Sequence, residues 1–416
     1  MLLRPLCLAF LFVLAGMFSG YSQSNPEELL SAKDYFLLGA AKYKCNACEH
    51  AVEDFDKAIG IERDYAEAYY GRSLAYVCLL EYNKALADIK QAIRCNPEEV
   101  LYREMQGRIR SLSGDKRGAV SDFKRALEMD SLCWQAWYGL ASENYAAVQL
   151  DESLIGYDEA IRLNPEFALG FIGKGRLLID LANYPGALAH LARAIELEPS
   201  YSLPYTYSSL AFLNLEDYAG TLEMADSALK RDPELKMPYF YRGEAFFAQE
   251  QYSEADIAYG EALQRDKHFA QAWYKRGKSM DLMGDMKPAS KYYSKAIKKD
   301  PAAPDYYISR AILLVKMEKP KKALEDYSKA IILDKDNVEL YVRRGFIRLE
   351  LEDVSGAMED FKIATAKDPS NGEAWLGYGN ATYQNAQVRV ACNHWRRAVQ
   401  NGMAKAADQL AKYCNE

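Results

Sequence analysis

The chain has an internal period of 34 residues that continues without an insertion from Ala32 to about Gln400. Eleven repeats start at this spacing, and the 27th position of every repeat is an alanine. The repeats begin at Ala32, Ala66, Val100, Trp134, Ala168, Ser202, Lys236, Ala270, Pro304, Val338 and Gly372. A fixed period of this length indicates supersecondary units that stack on their neighbours, and it argues against a globular enzyme with a single site.

Small and large side chains alternate within each repeat in a way that predicts a pair of helices. Position 8 is always Gly, Ser or Ala, and position 20 is Ala except at Ser153 and Thr221. Position 4 is aromatic in ten repeats, and position 24 is mostly aromatic or aliphatic. The apolar spacings of three, four and seven are helical, and the small residues allow two antiparallel helices to approach closely. Proline at position 32 of six repeats ends the second helix.

This alternation, repeated eleven times in register, resembles the tetratricopeptide repeat family over residues 32–400. The resemblance implies an all-α, right-handed superhelical solenoid of helix-turn-helix repeats whose first helices line a concave groove. It further implies a scaffold that binds peptides, helices or folded protein partners and has no catalytic residues. Residues 401–416 are predicted to form a turn and a capping helix that closes the open end of the stack.

The first residues of the chain predict export. Arg4 is followed by an apolar run from Leu6 to Phe18, and Gly20 and Ser22 are the small residues expected before a cleavage site. We expect residues 1–22 to be a secretory signal peptide and residues 23–31 a lead-in to the first repeat. A membrane anchor is the alternative, although the run is short for a bilayer span. Export would place the mature chain in the periplasm or at the outer membrane of a bacterium.

Charge and motif content exclude several classes of function. The formal net charge is −7, and charges of both signs are mixed along the chain, so no basic face for nucleic acid is indicated. The four histidines are scattered, and no phosphate loop, catalytic triad or metal-ligand spacing is present. No later apolar stretch approaches the length of a membrane span. We therefore expect no cofactor, no metal, no nucleic acid and no membrane span in the mature chain.

Three repeats combine an arginine at position 7 with an aspartate at position 23. The pairs are Arg72 with Asp88, Arg310 with Asp326, and Arg344 with Asp360. Because the guanidinium fork suits a buried carboxylate, we expect structural ion pairs at these places in preference to ligand contacts.

The groove should be formed by positions 2, 5, 9, 12 and 13 of the first helices, by analogy with the family. Position 5 is never a lysine, so the family's clamp for the C-terminal carboxylate of chaperones is absent. Repeats five to seven instead present a mostly apolar set. The candidate partner-binding residues are Leu169, Ile172, Arg176, Ile179, Leu203, Leu210, Leu213, Met237, Phe240, Glu244 and Phe247. An exposed stripe of this kind marks an interaction surface, whereas packing of these side chains between first helices is the alternative.

The cysteines leave several pairings open. Cys392 and Cys414 lie on either side of the turn at Asn401 and Gly402, where two antiparallel helices would bring them to the same level, and the surrounding string resembles the end of exported tetratricopeptide proteins of Bacteroidetes-type bacteria. We predict a disulfide between them. The pairing of Cys45, Cys48, Cys78, Cys95 and Cys133 stays open, and a local Cys45–Cys48 disulfide or free thiols are both compatible with the sequence.

Two alternative functions depend on particular residues. Cys45, Cys48 and His50 could support metal binding or redox chemistry, although a fourth ligand is missing. Carbohydrate binding would use tyrosines at position 5, namely Tyr70, Tyr138 and Tyr274. Neither alternative explains the period as directly as a scaffold does.

Overall fold

The computed structural model describes residues 30–414, which contain 23 α-helices and no β-strand. The predicted signal peptide and the lead-in up to residue 29 lie outside the described residues. The all-α prediction is confirmed. The chain divides into two compact units between Ser200 and Tyr201. We call residues 30–200 the N-terminal unit and residues 201–414 the C-terminal unit.

Each repeat contributes two helices, and one further helix follows the last repeat. The first helices are α1 (Ala32–Lys44), α3 (Ala66–Cys78), α5 (Val100–Ser113), α7 (Trp134–Ala146), α9 (Ala168–Asp180), α11 (Leu203–Asn214), α13 (Lys236–Ala248), α15 (Ala270–Leu282), α17 (Pro304–Lys316), α19 (Val338–Glu350) and α21 (Gly372–Gln384). The second helices are α2 (Cys48–Ile61), α4 (Tyr82–Cys95), α6 (Lys116–Met129), α8 (Leu150–Leu163), α10 (Tyr184–Leu197), α12 (Tyr218–Arg231), α14 (Tyr252–Arg265), α16 (Met286–Lys299), α18 (Pro320–Leu333), α20 (Val354–Lys367) and α22 (Val388–Gln400). The closing helix is α23 (Lys405–Tyr413). Within residues 30–414 no helix is both long and apolar enough to cross a membrane.

The turn between the two helices of a repeat places position 15 in the left-handed region. At Leu80, with φ of 60°, the N–H donates to the Val77 carbonyl, and the N–H of Glu81 donates to the Tyr76 carbonyl. These two bonds form a Schellman motif that satisfies the carbonyls at the end of α3. Nine repeats use a non-glycine residue at this position; only Gly114 and Gly284 have the residue type that it favours.

Aromatic rings at position 24 fill the space between neighbouring helices. A Cβ at Gly39, position 8, would lie 2.9 Å from a carbon of the buried Phe55 ring, and a Cβ at Gly71, position 6 of the next repeat, would lie 2.6 Å from the same ring. Phe123 packs against two glycines in the same way. The close approach predicted at position 8 is confirmed, and position 6 is a second close approach that the sequence analysis missed.

The three predicted arginine–aspartate pairs are confirmed. Arg72 donates from Nε and Nη2 to the Asp88 carboxylate at 2.7 and 2.6 Å, and from Nη1 to Asp56 in the preceding repeat. Arg310 and Arg344 bind their aspartates in the same bidentate way, and their third contact is a serine of the preceding repeat. Each arginine therefore joins three helices, two from its own repeat and one from the repeat before.

Candidate functional site

The predicted apolar set is only partly accessible. Leu169 and Leu203 are exposed, whereas Ile172, Ile179 and Phe240 are buried. The other members are either exposed (Arg176) or half-buried (Leu210, Leu213, Met237, Glu244 and Phe247). The expectation that Ile172, Ile179 and Phe240 line an open groove is corrected, because these side chains lie in the core.

Position 5 is a packing position because aromatic residues from the end of the repeat or from the next repeat cover it. The Phe240 ring lies 4.9 Å from the Phe269 ring, and Tyr70 and Tyr274 pack on Tyr102 and Tyr306 of the next repeats. No position-5 side chain in the described repeats is exposed. The exposed part of the first-helix face consists instead of side chains such as Leu169 at position 2 and Leu112 at position 13.

Inside the N-terminal unit this face contains a cavity of about 400 Å³. Most of its walls come from the first helices of repeats three to five and include the predicted groove positions 2, 5, 9, 12 and 13, and Phe123 of α6 and Phe167 just before α9 complete them. We call it the Glu104 pocket; its lining residues are Glu104, Arg108, Ser111, Leu112, Phe123, Trp134, Gln135, Tyr138, Gly139, Ser142, Glu143, Phe167 and Leu169. Of the predicted groove residues, only Leu169 contributes to it.

Glu104 is the buried acid of this pocket. It is 3% exposed, and among the described residues its carboxylate accepts no hydrogen bond. The nearest cation is Arg108, one turn along α5, with Nε 3.6 Å from Glu104 Oε1, and its side chain is mostly exposed. Burial raises the pKa of Glu104 to about 7, and Arg108 lowers it only in part. Helix α5 therefore holds a carboxyl group in the pocket without the donors that an ionised carboxylate needs.

Glu143, at position 10 of the next repeat, supplies a second buried acid. Ser111 Oγ donates a hydrogen bond to Glu143 Oε1, and Lys116 Nζ lies 3.3 Å from the same oxygen. Lys116 is largely exposed, as Arg108 is. Both carboxylates thus lie in the interior of the pocket, while both neighbouring cations reach in from solvent on flexible side chains.

Aromatic rings form the wall beside these acids. The Phe167 ring lies 4.5 Å from the Trp134 ring and 4.9 Å from the Tyr138 ring, which it meets edge to face. All three side chains are half-buried and line the pocket. The sequence carried one signal for this site, since Glu104 is the only charged residue at position 5 in eleven repeats. Phe167 was missed because position 34 was not considered as a wall of the groove.

Cys48 does not form the local disulfide with Cys45 that the sequence left open for the first repeat. Cys48 is joined to Cys78, and their Cα atoms are 6.3 Å apart. Cys48 begins α2 and Cys78 ends α3, so antiparallel packing of these helices brings them together. A Cys45–Cys48 disulfide is therefore wrong for this structure. The Cys48–Cys78 bond also removes a thiolate that a metal site with His50 would need, and no group of three or more potential metal-binding side chains is found in residues 30–414.

The other cysteine pair lies at the end of the stack. Cys392 on α22 is joined to Cys414, which follows α23, with a Cα separation of 5.8 Å. Gly402 turns the chain between the two helices with φ of 83°. The Trp395, Tyr383 and Tyr413 rings pack beside the bond and hold α23 against the last repeat.

Comparison with known proteins links these repeats to a family. Residues 104–168 and 240–304 match the family model described as tetratricopeptide repeat, and the first segment contains most of the Glu104 pocket. A TPR repeat-containing protein of Methanocaldococcus jannaschii is 27% identical over 138 residues, which are 33% of this chain and 22% of that protein. Heat shock protein STI1 of Saccharomyces cerevisiae is 31% identical over 103 residues, which are 24% of this chain and 18% of that protein. The matches thus span about a fifth of the length of these curated relatives.

Solved structures give weaker likenesses. YrrB, described as a TPR protein with an unusual peptide-binding site, has a TM-score of 0.43 and 22% identity, and the match covers 46% of this chain and 99% of YrrB. Yeast Tom70 has a TM-score of 0.38 and 16% identity, and the match covers 92% of this chain and 95% of Tom70.

Proposed function

We infer that this chain, a member of the tetratricopeptide repeat family, is a non-catalytic scaffold that binds protein segments on the first-helix face of its repeats. Paired helices occupy residues 32–400, so the described repeats contain no inserted catalytic domain. Packing accounts for the side chains at positions 4, 8, 20, 24 and 27. Recognition is therefore left to the first-helix side chains that remain open to solvent.

The Glu104 pocket is the observation that carries this proposal. Three successive repeats build it, and it combines buried acids, an aromatic wall and exposed aliphatic residues at its rim. A cavity of this size with a few convergent polar groups is typical of a binding site. The neighbouring exposed positions would extend the contact along the array, so that several modest contacts add up to useful affinity.

We place the scaffold in the cell envelope. The apolar run at residues 6–18 with its small residues at positions 20 and 22 supports export. Two cysteine pairs in bonding geometry also support an oxidising compartment, since disulfides are rare in the cytosol. Metal or redox chemistry at Cys48 receives no such support, because this cysteine is engaged in a disulfide. Sugar stacking on the position-5 tyrosines receives none either, because Tyr70 and Tyr274 pack against other rings.

Site-specific photocrosslinking tests the proposed binding face. Leu112, at the rim of the pocket, is replaced by benzoylphenylalanine in the full-length protein, which is then irradiated in an envelope extract. We expect a discrete crosslinked product that mass spectrometry identifies as one partner segment. The matched control places the same group at Ile155, an equally exposed aliphatic residue on the second helix α8. Equal products from both variants, or none from Leu112, would contradict binding on the first-helix face.

The closing disulfide gives an independent prediction about compartment and stability. Replacing Cys392 and Cys414 with serine should cost about 3 kcal/mol in the chain-entropy model, because the bond closes a loop of 22 residues. Hydrogen exchange at α23 should accelerate in this variant, and a reducing agent should have the same effect on the unmodified protein. Cys95→Ser is the control, since Cys95 forms neither disulfide. Unchanged exchange at α23 would show that the bond does not stabilise the cap.

A further inference from the structure

We propose that the Glu104 pocket binds an arginine side chain of a peptide partner, with the guanidinium between the buried carboxylates and the aromatic wall. This inference rests on the proposed scaffold function and adds the chemistry of the bound segment. It reverses the polarity of the lysine-based carboxylate clamp that is missing from this chain.

Glu104 is buried in the pocket, where a carboxylate needs hydrogen-bond donors. Within residues 30–414, however, the cation nearest to Glu104 is Arg108, at 3.6 Å and beyond hydrogen-bond distance. An arginine side chain entering from solvent would supply a planar pair of donors that matches one carboxylate in bidentate fashion. Arg72 binds Asp88 inside this chain with the same bidentate geometry, donating from Nε and Nη2 to the two carboxylate oxygens.

The charges around the pocket also favour a cationic ligand. The lining of the pocket includes the buried Glu104 and Glu143, whereas the cations beside them, Arg108 and Lys116, have more than half of their side chains exposed. Such exposed cations hold their partners weakly because solvent screens them. A ligand cation that is anchored by its own peptide can therefore replace them at the buried acids, while an anionic ligand would find no buried cation beside these acids.

The aromatic wall of the pocket favours arginine in particular. Trp134, Tyr138 and Phe167 present ring edges and faces within the same cavity as the acids. A guanidinium stacks on aromatic rings while its edge donates hydrogen bonds, whereas a lysine ammonium is a compact, strongly hydrated point charge. The combination of flat rings and carboxylates thus favours arginine over lysine.

Binding of a matched pair of peptides tests the proposal. The probes are blocked, fluorescein-labelled heptapeptides with one arginine between two leucines, or with citrulline, its uncharged isostere, in the same place. Fluorescence anisotropy with the full-length mature protein should show at least about tenfold tighter binding of the arginine peptide. Glu104→Gln should remove this preference, and the control Glu128→Gln, an exposed acid on the outer face of α6, should retain it.

The outcomes separate this proposal from the scaffold function. Equal binding of the two peptides, or no binding of the arginine peptide at millimolar protein, would overturn the arginine site; crosslinking at Leu112 would still report on the scaffold. Tighter binding of a lysine peptide than of the arginine peptide would also overturn it. Preference for arginine that persists in Glu104→Gln would place the site elsewhere on the chain. Circular dichroism of each variant shows that a lost preference does not come from unfolding.

Discussion

Glu104→Gln is expected to raise the stability of the N-terminal unit at pH 8 by about 2 kcal/mol. Burial raises the pKa of Glu104 from its ordinary 4.5 to about 7, so the folded state binds a proton that the unfolded state releases between these values. The contribution of Glu104 to stability is therefore most favourable below pH 4.5 and becomes less favourable by about 3 kcal/mol as the pH rises through 7. Glutamine cannot ionise, so the variant avoids this loss of about 3 kcal/mol. Burying the glutamine amide without a partner costs about 1 kcal/mol, which leaves a net gain of about 2 kcal/mol.

The groups that face Glu104 do not change this sign. Arg108 lies on the same helix, Tyr70 on α3 and Cys133 just before α7, and Glu143 lines the same cavity. Burial raises the pKa of Tyr70 and of Cys133, so both stay neutral between pH 5 and 8. Urea unfolding at pH 5 and pH 8, followed by hydrogen exchange in α5 and α7, measures the effect.

The matched control for Glu104→Gln is Glu128→Gln. The Glu128 side chain is two-thirds exposed, so Glu128→Gln should change the free energy of unfolding by no more than about 0.5 kcal/mol at both pH values. If Glu104→Gln were less stable than the unmodified protein at pH 8, the carboxylate would already be satisfied within the fold. A gain in stability with a loss of arginine binding would instead be the trade-off expected of a functional residue.

Asp360→Ala is expected to destabilise the C-terminal unit by about 4 kcal/mol, since removing one partner of a buried ion pair costs about 3–5 kcal/mol. Asp360 is fully buried and accepts two hydrogen bonds from Arg344, at 3.0 and 2.6 Å, while Arg348 Nη1 lies 3.0 Å from its Oδ2. The substitution leaves two largely buried guanidinium groups without this counter-charge. Urea unfolding, with hydrogen exchange to locate the loss in α19 and α20, provides the measurement.

Asp226→Ala provides the comparison for Asp360→Ala. Asp226 also pairs with a position-7 arginine, Arg242, at 3.3 Å, but its side chain is 65% exposed. An exposed pair contributes less than about 1 kcal/mol, so Asp226→Ala should be nearly neutral. Similar losses in the two variants would mean that burial does not set the strength of these arginine contacts.

Local pairings inside a repeat could be predicted because the period places them at fixed separations. Arg72 and Asp88 are 16 residues apart in adjacent helices, and Gly39 and Phe55 are also 16 apart. Any two antiparallel helices with a short turn bring such positions together. The pairings were therefore available from one repeat alone, without knowledge of how repeats stack.

Contacts between repeats were harder to predict, and most of the Glu104 pocket depends on them. Ser111 of the third repeat donates to Glu143 of the fourth, and Leu169 of the fifth repeat completes the lining. The angle and offset between successive repeats decide these contacts, and the period does not contain either quantity. Ile172 and Phe240 were expected at an open surface and lie in the core; Phe240 is covered by Phe269, at the far end of its own repeat.

The turns between the two helices of each repeat show that tertiary packing overrides the local backbone preference of a residue. Val148 adopts φ of 61°, a conformation that a β-branched residue rarely takes. Only two of the eleven repeats have a glycine there, so residue type did not reveal the left-handed turn. Packing of each helix pair holds the backbone in that conformation and offsets its local cost.

The amino-acid sequence by itself determined that the chain is a set of paired helices, where each pair begins, and which side chains serve packing, since these properties follow from periodicity and side-chain size. Only the tertiary structure decided which position-5 side chains are covered, which cysteine joins Cys48, and that Glu104 is buried with no hydrogen-bond donor among residues 30–414. These properties depend on the relative placement of helices from different repeats. That placement results from the packing of many side chains at once, and no single 34-residue repeat contains it.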